Sequence, residues 1–184
     1  MELVKARGRA DLMKVWPLIY DCYLKEGFIE ANPYGWWFTH HQLMTVNDVY
    51  LVEREGEVVF TVTAVWVGHP YRQNFPRAPE YQGAVELILL ASKLASIATF
   101  RYLVKVCKDI LSSGAKTILI EIVAEKAQFY KKLGFVHVAT ARQPHFALLK
   151  YPILMALDLP ALLKRSKYLP FSLTHRIGPL DHLK

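Results

Sequence analysis

Apolar positions in the first long segment, RADLMKVWPLIYDCYLKEGF, recur at steps of three and four residues: Leu12, Val15 and Trp16, Ile19, Cys22 and Tyr23. That spacing predicts a helix with one buried face. Asp11 is a candidate cap and Gly27 a candidate stop. Pro17 removes a hydrogen-bond donor inside the pattern, so a kink or the true first turn is expected there. The period then shortens. VYLVEREGEVVFTVTAVWVG contains two β-branched and aromatic runs joined around Gly56, which predicts an antiparallel hairpin. AVELILLAS is a continuous apolar run of strand length with one acid, Glu86, and IATFRYLVKVCKDILSSG returns to helical spacing before Gly114. The strand-like KTILIEIV follows, so strand, helix and strand form a right-handed crossover with parallel pairing.

EKAQFYKKL reads as a short helix closed by Gly134, FVHVAT as a strand, and HFALLKYPILMALDL as a further strand weakened or bulged near Pro152. PALLKRSK opens with Pro160 at a favoured helix start. Two loops interrupt the series. One, IEANPYGWWFTHHQLMTVND, carries the consecutive aromatics Trp36, Trp37 and Phe38, which suit a lid over the core or the lining of a pocket. The other, HPYRQNFPRAPEYQG, holds three prolines and no apolar period. The sum is an α+β fold with a mixed, mostly antiparallel sheet flanked by helices.

Composition narrows the class. The 184 residues suit one domain, with 1–160 as its body and 161–184 as a basic C-terminal helix and tail. No uncharged apolar run reaches the roughly 18 to 20 residues needed to span a bilayer, and the charged N-terminus does not read as a signal peptide. A cytoplasmic protein without a membrane span is expected. Cys22 and Cys107 have no neighbouring Cys or His at ligand spacing, which argues against a disulfide framework and a metal site and for buried free thiols. The formal charge of +7 favours an acidic partner. Nucleic acid is disfavoured, because the basic residues are spread along the chain and no binding motif accompanies them.

The element order, ending in AQFYKKLGF, resembles the Gcn5-related N-acyltransferase (GNAT) fold, whose late signature places Phe129, Tyr130, Gly134 and Phe135 in register. LIYDCYLKEGFI, NPYGWWF, the hairpin and FVHVATARQPHFALLKYPILMALDL look, more narrowly, like the long-chain N-acyl amino acid synthases, relatives of the acyl-homoserine-lactone synthases. The resemblance covers roughly residues 10–160. It implies an acyl-phosphopantetheine thioester as co-substrate, with acyl carrier protein or coenzyme A as its carrier and no tightly bound cofactor. An acidic carrier protein suits a +7 chain. Coenzyme-A-dependent members have a glycine-rich loop that cradles the pyrophosphate at a helix start, whereas the corresponding LASKLASIATFR contains no glycine. The lactone-synthase pattern is also broken, with Ile19 in place of an Arg and Leu89 following Glu86 in place of another. An alternative register makes Lys93 the basic residue.

N-acylation needs a base for the amine, a donor for the oxyanion and a proton for the departing thiolate. The resemblance assigns the last to Tyr130, since a phenol of reference pKa about 10 can protonate a thiolate of reference pKa about 8.5 held beside it. Glu86, the acid of an apolar strand, is the candidate base, because burial raises a carboxyl toward a useful pKa; Glu121 competes. Leu90, Ala91, Ser92, Lys93 and Phe129 are the candidate donor-binding residues, with backbone N–H groups near Leu90 and Ala91 facing the oxyanion. Trp36, Trp37, Phe38, Trp66, Phe100 and Arg101 are candidates for an acyl or acceptor pocket. Arg72, Arg77 and Arg142 are further candidate partners for an acceptor carboxylate. An acetyl-coenzyme-A acetyltransferase and a non-catalytic acyl-binding module of the same fold remain the alternatives.

Overall fold

The computed structural model describes residues 1–66, 75, 81, 83–143 and 151–160. Within them lie seven strands, β1 (Leu3–Lys5), β2 (Asp48–Arg54), β3 (Glu57–Val65), β4 (Val85–Ser92), β5 (Thr117–Val123), β6 (Val136–Thr140) and β7 (Pro152–Asp158), and three α-helices, α1 (Arg9–Lys25), α2 (Ser96–Ser112) and α3 (Ala127–Lys132). The strands form one sheet in the order β1-β2-β3-β4-β5-β7-β6. Only β4 and β5 pair in parallel, across the α2 crossover; every other neighbouring pair is antiparallel. This is the expected mixed sheet.

Alternation along the strands gives the sheet two apolar faces. On one, Tyr50, Val62, Val85, Leu87, Ile118 and Ile120 pack with Tyr102, Val106 and Ile110 of α2 and with Ala127 of α3. On the other, Val49, Leu51, Val58 and Ala91 meet Val15, Trp16, Leu18 and Ile19 of α1. α1 runs unbroken through Pro17, so Pro17 lies inside the helix and does not mark its first turn. Pro17 is exposed, so the carbonyl that loses its helical N–H partner faces solvent, where water serves it. Asp11 is not the cap. It sits in the first turn, and its Oδ2 accepts the Arg7 backbone N–H at 2.9 Å. Gly27 follows the helix with φ 75°, as a stop should.

The hairpin closes through Glu55 and Gly56, both at positive φ, the backbone of a two-residue turn matched to strand twist. β1 was not expected, because its three residues lie in a charged N-terminus with no run of apolar positions. It is held by pairing with β2 and by Lys5, whose Nζ bridges Asp48 at 3.1 Å and Asp109 at 2.8 Å. The last expected strand starts at Pro152 and does not run through it; a strand's first residue needs no ladder donor. The rest of that run at 145–150, most of the proline-rich loop with Arg72 and Arg77, and the tail at 161–184 lie outside the described residues.

Candidate active site

The site is built on an irregularity in β4. The strand pairs with β3 through Val65↔Glu86, Ala64↔Leu87 and Thr63↔Ile88, then resumes at Thr61↔Ala91. Leu89 and Leu90 therefore span the place of one residue, a β-bulge, and bulges leave a ladder position unpaired. Leu89 has φ 52°, a left-handed backbone that costs roughly 1–2 kcal/mol outside glycine. Burial of its side chain in the α1 cluster offsets that cost. On the other flank, the β4–β5 register runs from Val85↔Ile118 to Leu87↔Ile120 and stops, although the strands continue to Ser92 and Val123. The two parallel strands part beyond Leu87.

Glu86 stands at the start of this opening. Val85 and Leu87 face α2, so alternation directs Glu86 to the α1 face, where it is 1% exposed. Glu121 lies on the same face of the neighbouring strand, two positions beyond Leu119, the register partner of Glu86. The two candidate bases therefore flank the same gap.

Tyr130 approaches from the opposite face, on α3. Its ring meets Phe129 and Phe135 edge-on, with centroids 5.2 and 5.6 Å away. Burial pushes its hydroxyl up from the ordinary phenol value, so it keeps its proton at neutral pH. Its influence reaches α1: burial, then Tyr130 and Cys22, push up the Tyr23 hydroxyl. The end of α1 is tied to the rim of the opening by Lys93 Nζ to Asp21 at 2.9 Å, Lys126 Nζ to Glu26 at 2.6 Å, and Cys22 Sγ to the Ser92 carbonyl at 3.9 Å. Burial raises the Cys22 thiol and pushes Cys107 up to about 12, so both stay protonated.

The turn between β4 and α2 is shaped without glycine. Ser92 Oγ and Thr99 Oγ1 lie 2.7 Å apart, the Leu94 N–H donates to Ser92 Oγ at 3.1 Å, and Thr99 Oγ1 donates to the Leu94 carbonyl at 3.3 Å. Leu90, Ala91, Ser92 and Lys93 follow Leu87 along the chain, past the point where β4 and β5 part, and Phe129 and Tyr130 lie on α3, which follows β5.

The six proposed pocket residues are not brought together. Trp36 and Phe38 stack on Trp16 of α1, with centroids 5.4 and 4.6 Å away, and Trp37 packs on the same cluster. Trp16, Trp36 and Phe38 wall a cavity of about 480 Å³ with Arg9, Leu12 and Leu43. Trp66 lies apart on the other face, its Nε1 donating to Asp48 at 3.0 Å. Phe100 is half-buried and Arg101 exposed on α2, and Arg142 is exposed after β6. The cavity adjoins the first half of α1, and the opening adjoins its end.

Two polar residues were missed by sequence reasoning, Thr63 and Gln42, and Tyr23 was read only as part of the buried face of the first helix. Gln42 belongs to a 3₁₀ turn, His40–Leu43, and is 3% exposed. Its Nε2 donates to Thr63 Oγ1 at 3.3 Å. Gln42 Oε1, His41 Nδ1 and Thr39 Oγ1 are buried without a hydrogen-bond partner among the described residues, each a cost of about 1–3 kcal/mol. Burial, then His40, lowers the pKa of His41. No metal-binding group of His, Cys, Asp and Glu occurs among the described residues, and no helix among them is long and apolar enough to cross a membrane.

The helix on one face, the bulged β4 and the parting of β4 from β5 are the frame of an acyltransferase, as the family of the chain shows. The model of the N-acyl amino acid synthase FeeM family matches residues 14–158, and the chain belongs to that family of acyltransferases. The solved FeeM, an N-acyl amino acid synthase from uncultured soil microbes, superposes with a TM-score of 0.68 at 13% identity, over 89% of this chain and 98% of that one. BjaI, a CoA-dependent acyl-homoserine lactone synthase solved with SAM and isopentyl-CoA, gives 0.67 at 14%, over 89% and 87%. An aminoglycoside 6'-N-acetyltransferase complexed with coenzyme A gives 0.60 at 14%, over 86% and 97%. These likenesses bear out the GNAT-like fold. No curated protein matches the chain by sequence.

Proposed function

We propose that the protein joins a long acyl chain, delivered as a thioester on acyl carrier protein, to the amino group of an amino acid or a similar small amine. The observation that carries this reading is the gap between β4 and β5, with Glu86 buried at its start; Tyr130, on the short helix that follows β5, is assigned to it as the proton donor. The acyl-phosphopantetheine arm enters the gap. Glu86 takes a proton from the amine, directly or through water, as the nitrogen attacks the thioester carbonyl. Backbone N–H groups at the Leu89–Leu90 bulge face the oxyanion, and its collapse expels the thiolate, which takes the Tyr130 proton. Glu121 is the alternative base on the same face.

A carrier-bound donor is favoured over free coenzyme A because the turn at 92–99 is held by Ser92 and Thr99 hydroxyls and has no glycine to admit a pyrophosphate close to its backbone. The cavity beside Trp36 and Phe38 is the candidate seat of the acyl tail. A carrier-protein donor places the reaction in the cytoplasm. The test is mass spectrometry of small molecules extracted from bacteria overexpressing the protein or its Glu86→Gln, Tyr130→Phe double variant. N-acyl amino acids present only with the wild type support the reading; equal extracts overturn it. Purified enzyme turning over acetyl-CoA faster than long-chain acyl carrier protein would replace it with the coenzyme-A acetyltransferase.

A further inference from the structure

Gln42 occupies an unusual position for a loop residue. It is 3% exposed, one end of its amide is held by Thr63, and the other end, Oε1, has no partner among the described residues. Thr63 lies on β3 opposite Ile88, and Glu86 lies opposite Val65, two residues along. Val62 and Ala64 face α2, so Thr63 and Glu86 share the α1 face as diagonal neighbours, with Cα atoms about 7–8 Å apart. An acceptor-only oxygen is thereby held, through its own amide, beside Thr63, the β3 residue diagonal to the candidate base.

An oxygen so placed complements a group that brings N–H donors and no lone pair, and a protonated amine is such a group. We infer that Gln42 Oε1 binds the acceptor's ammonium, taking one N–H while a second is directed to Glu86. This deepens the proposed function and rests on it. The 39–43 segment moves outward to admit the amine and closes over it; its own Leu43 and the adjoining Met44 and Val46 are exposed and add little packing to resist the movement. The amide fixes the amine's direction of approach; Glu86 takes one ammonium proton and passes it to solvent, which frees the lone pair, and takes the second as the nitrogen attacks. Gln42 is therefore a binding residue for the acceptor, and its side chain is not among those that wall the cavity proposed for the acyl tail.

The experiment supplies the enzyme with acyl carrier protein bearing a dodecanoyl chain and with each of the twenty amino acids, then varies the amino acid giving most amide. Gln42→Leu should raise the acceptor KM about 10- to 100-fold, the loss of one hydrogen bond to a charged group, and leave the donor KM unchanged. An unchanged donor KM also reports that the variant is folded. Gln42→Glu, which keeps an acceptor oxygen, should restore the acceptor KM to within about threefold of the wild type. Wild-type acceptor KM in Gln42→Leu, or loss of acceptor binding in Gln42→Glu with the donor KM intact, would overturn the assignment while amide synthesis stands. No amide from the wild type with any amino acid would overturn it together with the proposed function.

Discussion

Replacing Tyr130 by Phe removes one oxygen and leaves the edge-on contacts with Phe129 and Phe135 in place. If Tyr130 protonates the leaving thiolate, Tyr130→Phe lowers kcat about 100-fold or more, the usual contribution of a positioned general acid, while the donor KM stays put; steady-state kinetics with a thiol-release assay measures both. Asp109 permits a test independent of function. Burial opposes its charge, but hydrogen bonds from Lys5 and Tyr50 outweigh burial and hold its pKa below the ordinary carboxylate value. A carboxylate with a depressed folded pKa contributes stability above its unfolded pKa of about 3.9 and loses it as pH falls through the lower, folded value. Asp109→Asn should therefore lower the urea midpoint at neutral pH and flatten its fall below about pH 4. Equal acid slopes in the two proteins would remove Asp109 from the acid transition. Tyr130 and Glu86 were legible as residues because one sits in a helix-Gly-Phe register and the other is a lone acid in an apolar run. Gln42 was not, since a polar residue in a loop has no periodicity to mark its burial.

At the scale of elements, the hairpin, the crossover and α1 were legible because each buries one or two faces at a regular period. The departures occur where tertiary contacts override local pattern. β1 is three residues pinned by ion pairs and by the Tyr102 hydroxyl donating to the Met1 carbonyl at 3.0 Å. Pro17 is tolerated because the disturbed turn faces solvent. The β4 bulge is invisible in the run VELILLAS, where every residue around it is apolar, yet it lies just past the point where β4 and β5 part. The hairpin offers a stability test. Glu55 has φ 55°, a conformation that Asn adopts at lower cost than other side chains, and nothing lies within 4 Å of a Cβ built on the adjoining Gly56. Glu55→Asn should stabilise the fold by about 0.5 kcal/mol, raising Tm by about 1–2 °C in a protein of this size. Gly56→Ala, at φ 85°, should destabilise it by about 1 kcal/mol although the space is open. Thermal unfolding followed by circular dichroism measures both, and a destabilising Glu55→Asn or a stabilising Gly56→Ala would contradict the turn assigned here.

The whole molecule carries a formal charge of +7, and the rim of the β4–β5 opening holds part of it. Lys25, Lys93, Lys126, Lys131 and Lys132 are exposed on the elements that meet there. Lys93 and Lys126 are already paired with Asp21 and Glu26 across the rim, so Lys131 and Lys132 of α3 are the better candidates to meet an incoming acidic surface. An acidic carrier protein docked on α3 would deliver its phosphopantetheine arm beside Tyr130, which joins net charge, helix and chemistry in one orientation. Docking through exposed lysines is screened by salt, since the Debye length shortens from about 10 Å at 0.1 M to about 3 Å at 1 M. The KM for acyl carrier protein should therefore rise steeply with salt, and Lys131→Glu, Lys132→Glu together should raise it about tenfold or more by setting like charges against each other. The same acyl chain on free pantetheine, which has no acidic surface, should show neither effect. If the double reversal leaves both donors' KM unchanged, the carrier docks elsewhere; if it weakens both alike, α3 has been disturbed at Tyr130, and the charge has no separate role in choosing the donor.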